Sequence, residues 1–128
     1  MNILLIGGTR FLGAAIAREL LRRGHTVTVL HRGNTPGSLT EAVQHLLGDA
    51  REPGLLEAAV TEGRFDAVID TILQSSDLER VLPVFRQYTG RLVHWGSTGV
   101  YAPLRHAPAR EDDPTPCPPE FGGFAEKA

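Results

Sequence analysis

The chain has 128 residues, enough for a single domain at most. Hydrophobic residues make up 41% and charged residues 22%, and the net charge of −2 argues against a nucleic-acid binder that works by bulk positive charge. Cys117 is the only cysteine, which excludes an intrachain disulfide and a cysteine-based metal cluster. No stretch is long and apolar enough to span a membrane, and the N-terminal apolar run lacks the basic flank of a signal peptide, so a cytoplasmic location is expected.

The chain opens MNILLIGGTRFLG. Ile3-Leu4-Leu5-Ile6 reads as a short β-strand that runs directly into glycines. Gly7 permits a tight turn, Gly8 and Thr9 leave little bulk above it, and Gly13 lets the next helix close on the strand. The helix starting near Phe11 then presents backbone N–H groups and a partial positive charge to an anion. Strand, glycine turn and helix in this order are the opening of a dinucleotide-binding unit, with a ligand-free structural turn as the alternative.

In that helix Leu12, Ala15, Ile16, Glu19, Leu20 and Arg23 fall at three-and-four spacing, and Gly24 is placed to end it. Thr26 to Leu30 is a second, β-branched strand. Residues 33–40 form a loop, and Val43 to Leu47 is a weaker strand stopped by Gly48-Asp49. Pro53 fits a first helical turn, with Leu55, Leu56, Ala59 and Val60 continuing to Gly63. Phe65 to Asp70 is a fourth strand. Ser76 with Glu79 resembles a capping box ahead of Leu78, Val81, Leu82, Phe85 and Tyr88, and Pro83 predicts a kink or a later start. Leu92 to Trp95 is a fifth strand.

The alternation predicts an α/β, Rossmann-like doubly wound parallel sheet of about five strands in the order 3-2-1-4-5, with the ligand at the switch point beside strand 1. The dinucleotide-binding domain covers residues 1–101. Residues 102–120 carry six prolines and form a loop or disordered segment, and residues 121–128 begin a helix. A sheet ending at strand 5 exposes an edge at Leu92–Trp95 through which two copies could pair.

Several polar residues have plain structural explanations. The five histidines show no metal-ligand spacing, and no metal site is expected. His94 inside a strand reads as a hydrogen-bonded packing residue. Asp66 and Asp70 read as solvated strand ends, and Asp112 and Asp113 as part of a solvated charge run. His31 and Arg32 end strand 2 where NAD enzymes often carry an acid for the ribose hydroxyls. A basic residue there can pair with the 2′-phosphate of NADP, and Arg10 can converge on it. NADP is therefore the preferred cofactor and NAD the possible one, with a solvated surface arginine as the alternative.

Taken together, GGTRFLG, the HRG after strand 2, the GD after strand 3 and GSTGVY after strand 5 resemble the NAD-dependent epimerase/dehydratase family of extended short-chain dehydrogenase/reductases. Arg10 stands where that family usually has Gly. This variant resembles an atypical subgroup with nucleotide-sugar epimerase-like proteins and chloroplast RNA-binding relatives. The resemblance implies that Gly7, Thr9, Arg10, Phe11, Leu12 and Gly13 line the pyrophosphate. It implies that Asp49, followed by Ala50, reaches the adenine, and that Thr71, Ile72 and Leu73 run beneath the ribose toward the nicotinamide. It places Ser97 at the catalytic hydroxyl position. The family's Tyr-x-x-x-Lys pair is absent: Phe121 stands at the tyrosine position and Ala125 four residues on.

The reading is the NAD(P)-binding portion of an epimerase/dehydratase-like oxidoreductase, acting on a nucleotide sugar or a similar small molecule. A non-catalytic dinucleotide sensor or regulatory module is the alternative, and nucleic acid is an unlikely partner. The chain resembles the cofactor-binding half of such enzymes, as a fragment, a truncated product or a degenerate relative.

Overall fold

The computed structural model describes residues 1–34, 42–97, 101 and 108–115. Residues Met1–Trp95 form one compact unit, and a second begins at Gly96. The first unit contains β1 (Asn2–Ile6), α1 (Phe11–Arg22), β2 (Thr26–His31), β3 (Gln44–Leu47), α2 (Leu55–Gly63), β4 (Ala67–Asp70), α3 (Ser75–Tyr88) and β5 (Arg91–His94). The five strands form one parallel sheet in the order β3-β2-β1-β4-β5, as the alternation requires.

β1 is the central strand. Its Ile3 to Ile6 are all buried, because helices cover both faces of the sheet and leave no solvent side for polar residues to alternate onto. Leu4 and Ile6 meet Leu56 and Val60 of α2 and Val81 and Phe85 of α3 on one face. Leu5 meets Ala17 of α1 with Val27 and Val29 of β2 on the other.

α1 buries Gly13, Ala14 and Ala17, while Ala15 is exposed. The packed stripe is therefore rotated from the one the larger apolar residues indicate. Small side chains let the helix axis approach the strands, with Ile16, Leu20 and Leu21 filling the margins. Gly24 ends the helix at φ +77°, donating to Leu21 O at 2.9 Å while His25 N donates to Leu20 O at 3.1 Å, the paired closure of a Schellman motif.

The strand ends shift by one or two residues from the sequence reading, and two helix starts differ from it. α2 begins at Leu55 with Gly54 as its cap, so Pro53 lies outside the helix, and Glu57 Oε2 accepts from Gly54 N at 3.0 Å. α3 begins at Ser75 with Gln74 as its cap, and Asp77 Oδ2 rather than Glu79 accepts from the cap N–H at 3.1 Å. α3 also runs unbroken through Pro83. Pro83 and Glu79 are both exposed, so water can serve the Glu79 carbonyl that proline leaves without a donor. β5 spans Arg91–His94 and, among the described residues, pairs only with β4; Val93 and Trp95 are exposed.

In the second unit, Arg110 and Asp113 close a turn through Arg110 N to Asp113 Oδ2 at 2.7 Å and Asp113 N to Arg110 O at 3.1 Å. Most of the proline-rich segment, Cys117 and all of residues 121–128 lie outside the described residues.

Candidate functional site

Parallel strands point their carboxyl ends to one rim of the sheet, and a cleft of about 240 Å³ opens there. It is lined by Gly7, Thr9 and Arg10 after β1, by Leu30, His31 and Arg32 at the end of β2, by Gly48 to Arg51 after β3, and by Ile72 after β4. It straddles β1, where the connections diverge to either side.

The turn after β1 depends on missing side chains. Gly7 has φ +86°, and a β-carbon there would lie 2.5 Å from Thr71 Oγ1 and 2.6 Å from Ile72 Cγ2. A β-carbon on Gly13 would overlap the Gly7 carbonyl oxygen. Arg10 caps α1 in an extended conformation with no side-chain cap bond, and the first turn of the helix carries no acidic residue against the positive end of its dipole. Phe11 begins the helix at φ +39° and is 93% exposed.

Charge gathers at the β2–β3 side. Arg10, Arg32 and Arg51 all line the cleft and are exposed. Arg32 Nη1 lies 3.9 Å from Asp49 Oδ2, while Asp49 Oδ1 accepts from Arg51 N at 3.0 Å. His31 Nδ1 accepts from Gly33 N at 3.1 Å, which places the imidazole proton on Nε2, facing His45 Nδ1 at 2.8 Å. Burial, reinforced by the neighbouring His45, pushes the His31 pKa below its ordinary value.

The β4 side is built differently. Asp70 is completely buried, not a solvated strand end. Its Oδ1 accepts from Ile72 N and Leu73 N, both at 2.9 Å, and its Oδ2 faces His94 Nδ1 at 2.6 Å. Low-dielectric burial makes each of these three partners necessary to the carboxylate. Asp66 stays exposed but accepts from Asn2 N at 2.6 Å. Thr71 ties the turn to β1 through Oγ1 to Ile6 O at 3.0 Å and N to Ile6 O at 3.2 Å.

The cleft thus brings together Gly7, Thr9, Arg10, His31, Arg32, Asp49, Ala50 and Ile72 of the expected residues. Gly13 supports it from beneath, and Leu73 is buried in the core. Leu12 is half-buried, and Phe11 and Thr71 do not line the cleft. Ser97 is half-buried in the second unit. Sequence reasoning missed Arg51, although it follows the Gly48-Asp49 strand end by two residues. It also missed the tie between Asp70 and His94, although both close adjacent strands in register.

Comparison with known proteins agrees with this architecture. The profile of the NAD dependent epimerase/dehydratase family matches residues 3–82. The chain belongs to that family. It is 29% identical to the chloroplast stem-loop binding protein of 41 kDa b of Arabidopsis thaliana, over 88% of this chain and 33% of that protein. It superposes on the Bordetella bronchiseptica enzyme WbmG in complex with NAD with a TM-score of 0.78 at 21% identity, over 90% of this chain and 43% of that one. A UDP-glucose-4-epimerase of Stenotrophomonas maltophila, with bound NAD and formylated UDP-arabinopyranose, gives a TM-score of 0.74 at 25% identity, over 90% and 42%. The chain spans 18–33% of the length of the curated relatives it matches.

Proposed function

We propose that this chain holds the dinucleotide in an NAD(P)-dependent oxidoreductase of epimerase or dehydratase type, acting on a nucleotide sugar or a similar small molecule in the cytoplasm. The observation that carries the reading is the cleft over Gly7 and the start of α1, whose shape a single β-carbon would destroy. When bound, the nicotinamide cofactor supplies the hydride donor and acceptor. The glycines let the backbone approach the pyrophosphate, and the α1 N-terminus attracts its charge. Asp49 and Ala50 face the adenine, and Ile72 supports the ribose. Ser97 orients a substrate oxygen. No tyrosine in the chain stands four residues before a lysine, so proton transfer is assigned to no residue here.

The preferred cofactor is NADP. A charge-assisted hydrogen bond to a 2′-phosphate contributes about 1.5–3 kcal/mol. The bound phosphate must displace Asp49 from Arg32, but that pair, an exposed arginine and a half-buried aspartate, is 3.9 Å long, of the kind that contributes at most about 1 kcal/mol. The surplus favours NADP by about tenfold in affinity. Titration calorimetry on the folded chain tests both levels of the reading. NADP should bind about tenfold tighter than NAD, and Arg32→Ala should cancel most of the difference while leaving NAD nearly unaffected. Equal affinities remove the preference; no binding of either dinucleotide removes the cleft's assignment.

A further inference from the structure

The Asp70 carboxyl group has three hydrogen-bond partners while fully buried, and the cofactor reading gives it no task. It is wholly buried at the end of β4, and its partners are two residues of the turn that follows that strand and the last residue of β5. One oxygen accepts both backbone N–H groups of the following turn, at Ile72 and Leu73. The other meets His94, its register partner at the end of β5. The Asp70 carbonyl accepts from Trp95 N at 2.9 Å, so both strands are fastened at this residue.

The geometry points to Asp70 as the positioning residue of the cleft floor, with His94 orienting its carboxylate. Ile72, which lines the cleft from the turn after β4, is fixed from two sides. Asp70 accepts from its N–H, and the preceding residue, Thr71, donates to Ile6 O. The clearance is narrow, since Ile72 Cγ2 already occupies the space a Gly7 side chain would need. A turn released from Asp70 would move Ile72 toward or away from Gly7, and the pyrophosphate and ribose seats would lose their shared wall. A carboxylate oxygen only accepts, so His94 carries a proton on Nδ1. Its ring stays at the edge of the sheet, where the imidazole is about a quarter exposed, 27% by area.

This inference rests on the cleft being a dinucleotide site, so the experiment has one arm with ligand and one without. The ligand-free arm is amide hydrogen exchange and imidazole 15N shifts on the whole chain. In the unaltered protein the Ile72 and Leu73 amides should exchange slowly, and His94 should show the Nδ1–H form. In Asp70→Asn the amide oxygen still accepts both N–H groups but its NH2 faces the ring, so His94 should switch to the Nε2–H form. In Asp70→Ala both amides should exchange fast while the β1 and β4 amides remain protected. The ligand arm is calorimetry with NADP. Asp70→Ala should bind about tenfold more weakly or worse, and Asp70→Asn about threefold more weakly, because a neutral acceptor bond is roughly half as strong as a charged one.

Unchanged affinity in folded Asp70→Ala overturns the proposal, as do Ile72 and Leu73 amides that stay slow. Should the alanine variant not fold, Asp70→Asn decides. A loss of about tenfold or more in that variant, with both amides still protected, overturns the role of Asp70 as the acceptor that sets the floor. If the unaltered chain binds no dinucleotide, the assignment of the cleft fails, and the exchange pattern alone decides whether Asp70 fixes the turn.

Discussion

The turns after β1 and β4 meet at the same rim and are built by opposite means. After β1, side chains are removed: Gly7 and Gly13 leave room for backbone to approach backbone and, in the proposed function, a pyrophosphate. After β4 a charge is added where apolar packing would be expected, and a buried carboxylate gathers two N–H groups and an imidazole. The first turn is held open by the absence of atoms, the second by hydrogen bonds. Substitutions should therefore act on them differently, by steric overlap in one and by lost bonding in the other.

The largest effect is expected from overfilling the glycine turn. Gly13→Val places a branched side chain where even a β-carbon overlaps the Gly7 carbonyl. The obstacle is backbone, not a flexible side chain, so α1 must lift from β1 and loosen the contacts of Ala14 and Ala17. A loss of about 3 kcal/mol is expected, at the upper end for overpacked cores. Dinucleotide binding should be lost even at temperatures where the variant remains folded. Urea denaturation with parallel calorimetry checks both, and near-normal binding would show that the turn has more room than its geometry allows.

A smaller effect is expected from cutting one thread between the two turns. Thr71→Val keeps the shape of the side chain and removes the hydroxyl, which donates to Ile6 O at 3.0 Å and also lies 3.3 Å from Gly7 O. The Thr71 N–H still reaches the same carbonyl, so Ile6 O is not orphaned. The cost should be about 1 kcal/mol, the net value of one ordinary hydrogen bond. Thermal unfolding measures it, and a loss as large as that of Gly13→Val would mean that the turns are joined through Thr71 rather than braced separately.

The two turns were not equally legible in the sequence. A glycine pattern leaves a visible trace because few other residues tolerate φ +86° or a backbone-to-backbone approach. The alternation of strands and helices likewise fixed the sheet order, since parallel strands need crossovers and apolar runs mark the central positions. Asp70 left no such trace. A carboxylate at the end of FDAVID looks like a solvated strand end until the register sets it opposite His94 and the chain folds its next two N–H groups back over it. The cap of α3 differs from the expected one for a related reason: Ser76 with Glu79 and Gln74 with Asp77 have the same spacing, and the tie from Asp70 to Leu73 accompanies the earlier start. The buried face of α1 is faint in the sequence because hydrophobic size does not mark it: Gly13, Ala14 and Ala17 pack by being small.

The smallest expected effect sharpens the comparison at the other end of the cleft, where bonding depends on a titrating group. His31 accepts from Gly33 N only while its Nδ1 is unprotonated, and burial together with His45 lowers its pKa. In the unfolded chain the imidazole titrates near 6.5. Between that value and the lower folded one, the unfolded state binds more protons than the folded state. Stability therefore rises with pH through this window. The contribution is fully present above about 6.5 and is lost as pH falls toward the folded value. His31→Asn keeps an acceptor for the Gly33 N–H and does not titrate, so its melting temperature should lose this part of the acid sensitivity. Thermal unfolding of both proteins across the window checks it. Parallel acid profiles would show that the Gly33 turn, unlike the one governed by Asp70, does not depend on its side-chain acceptor.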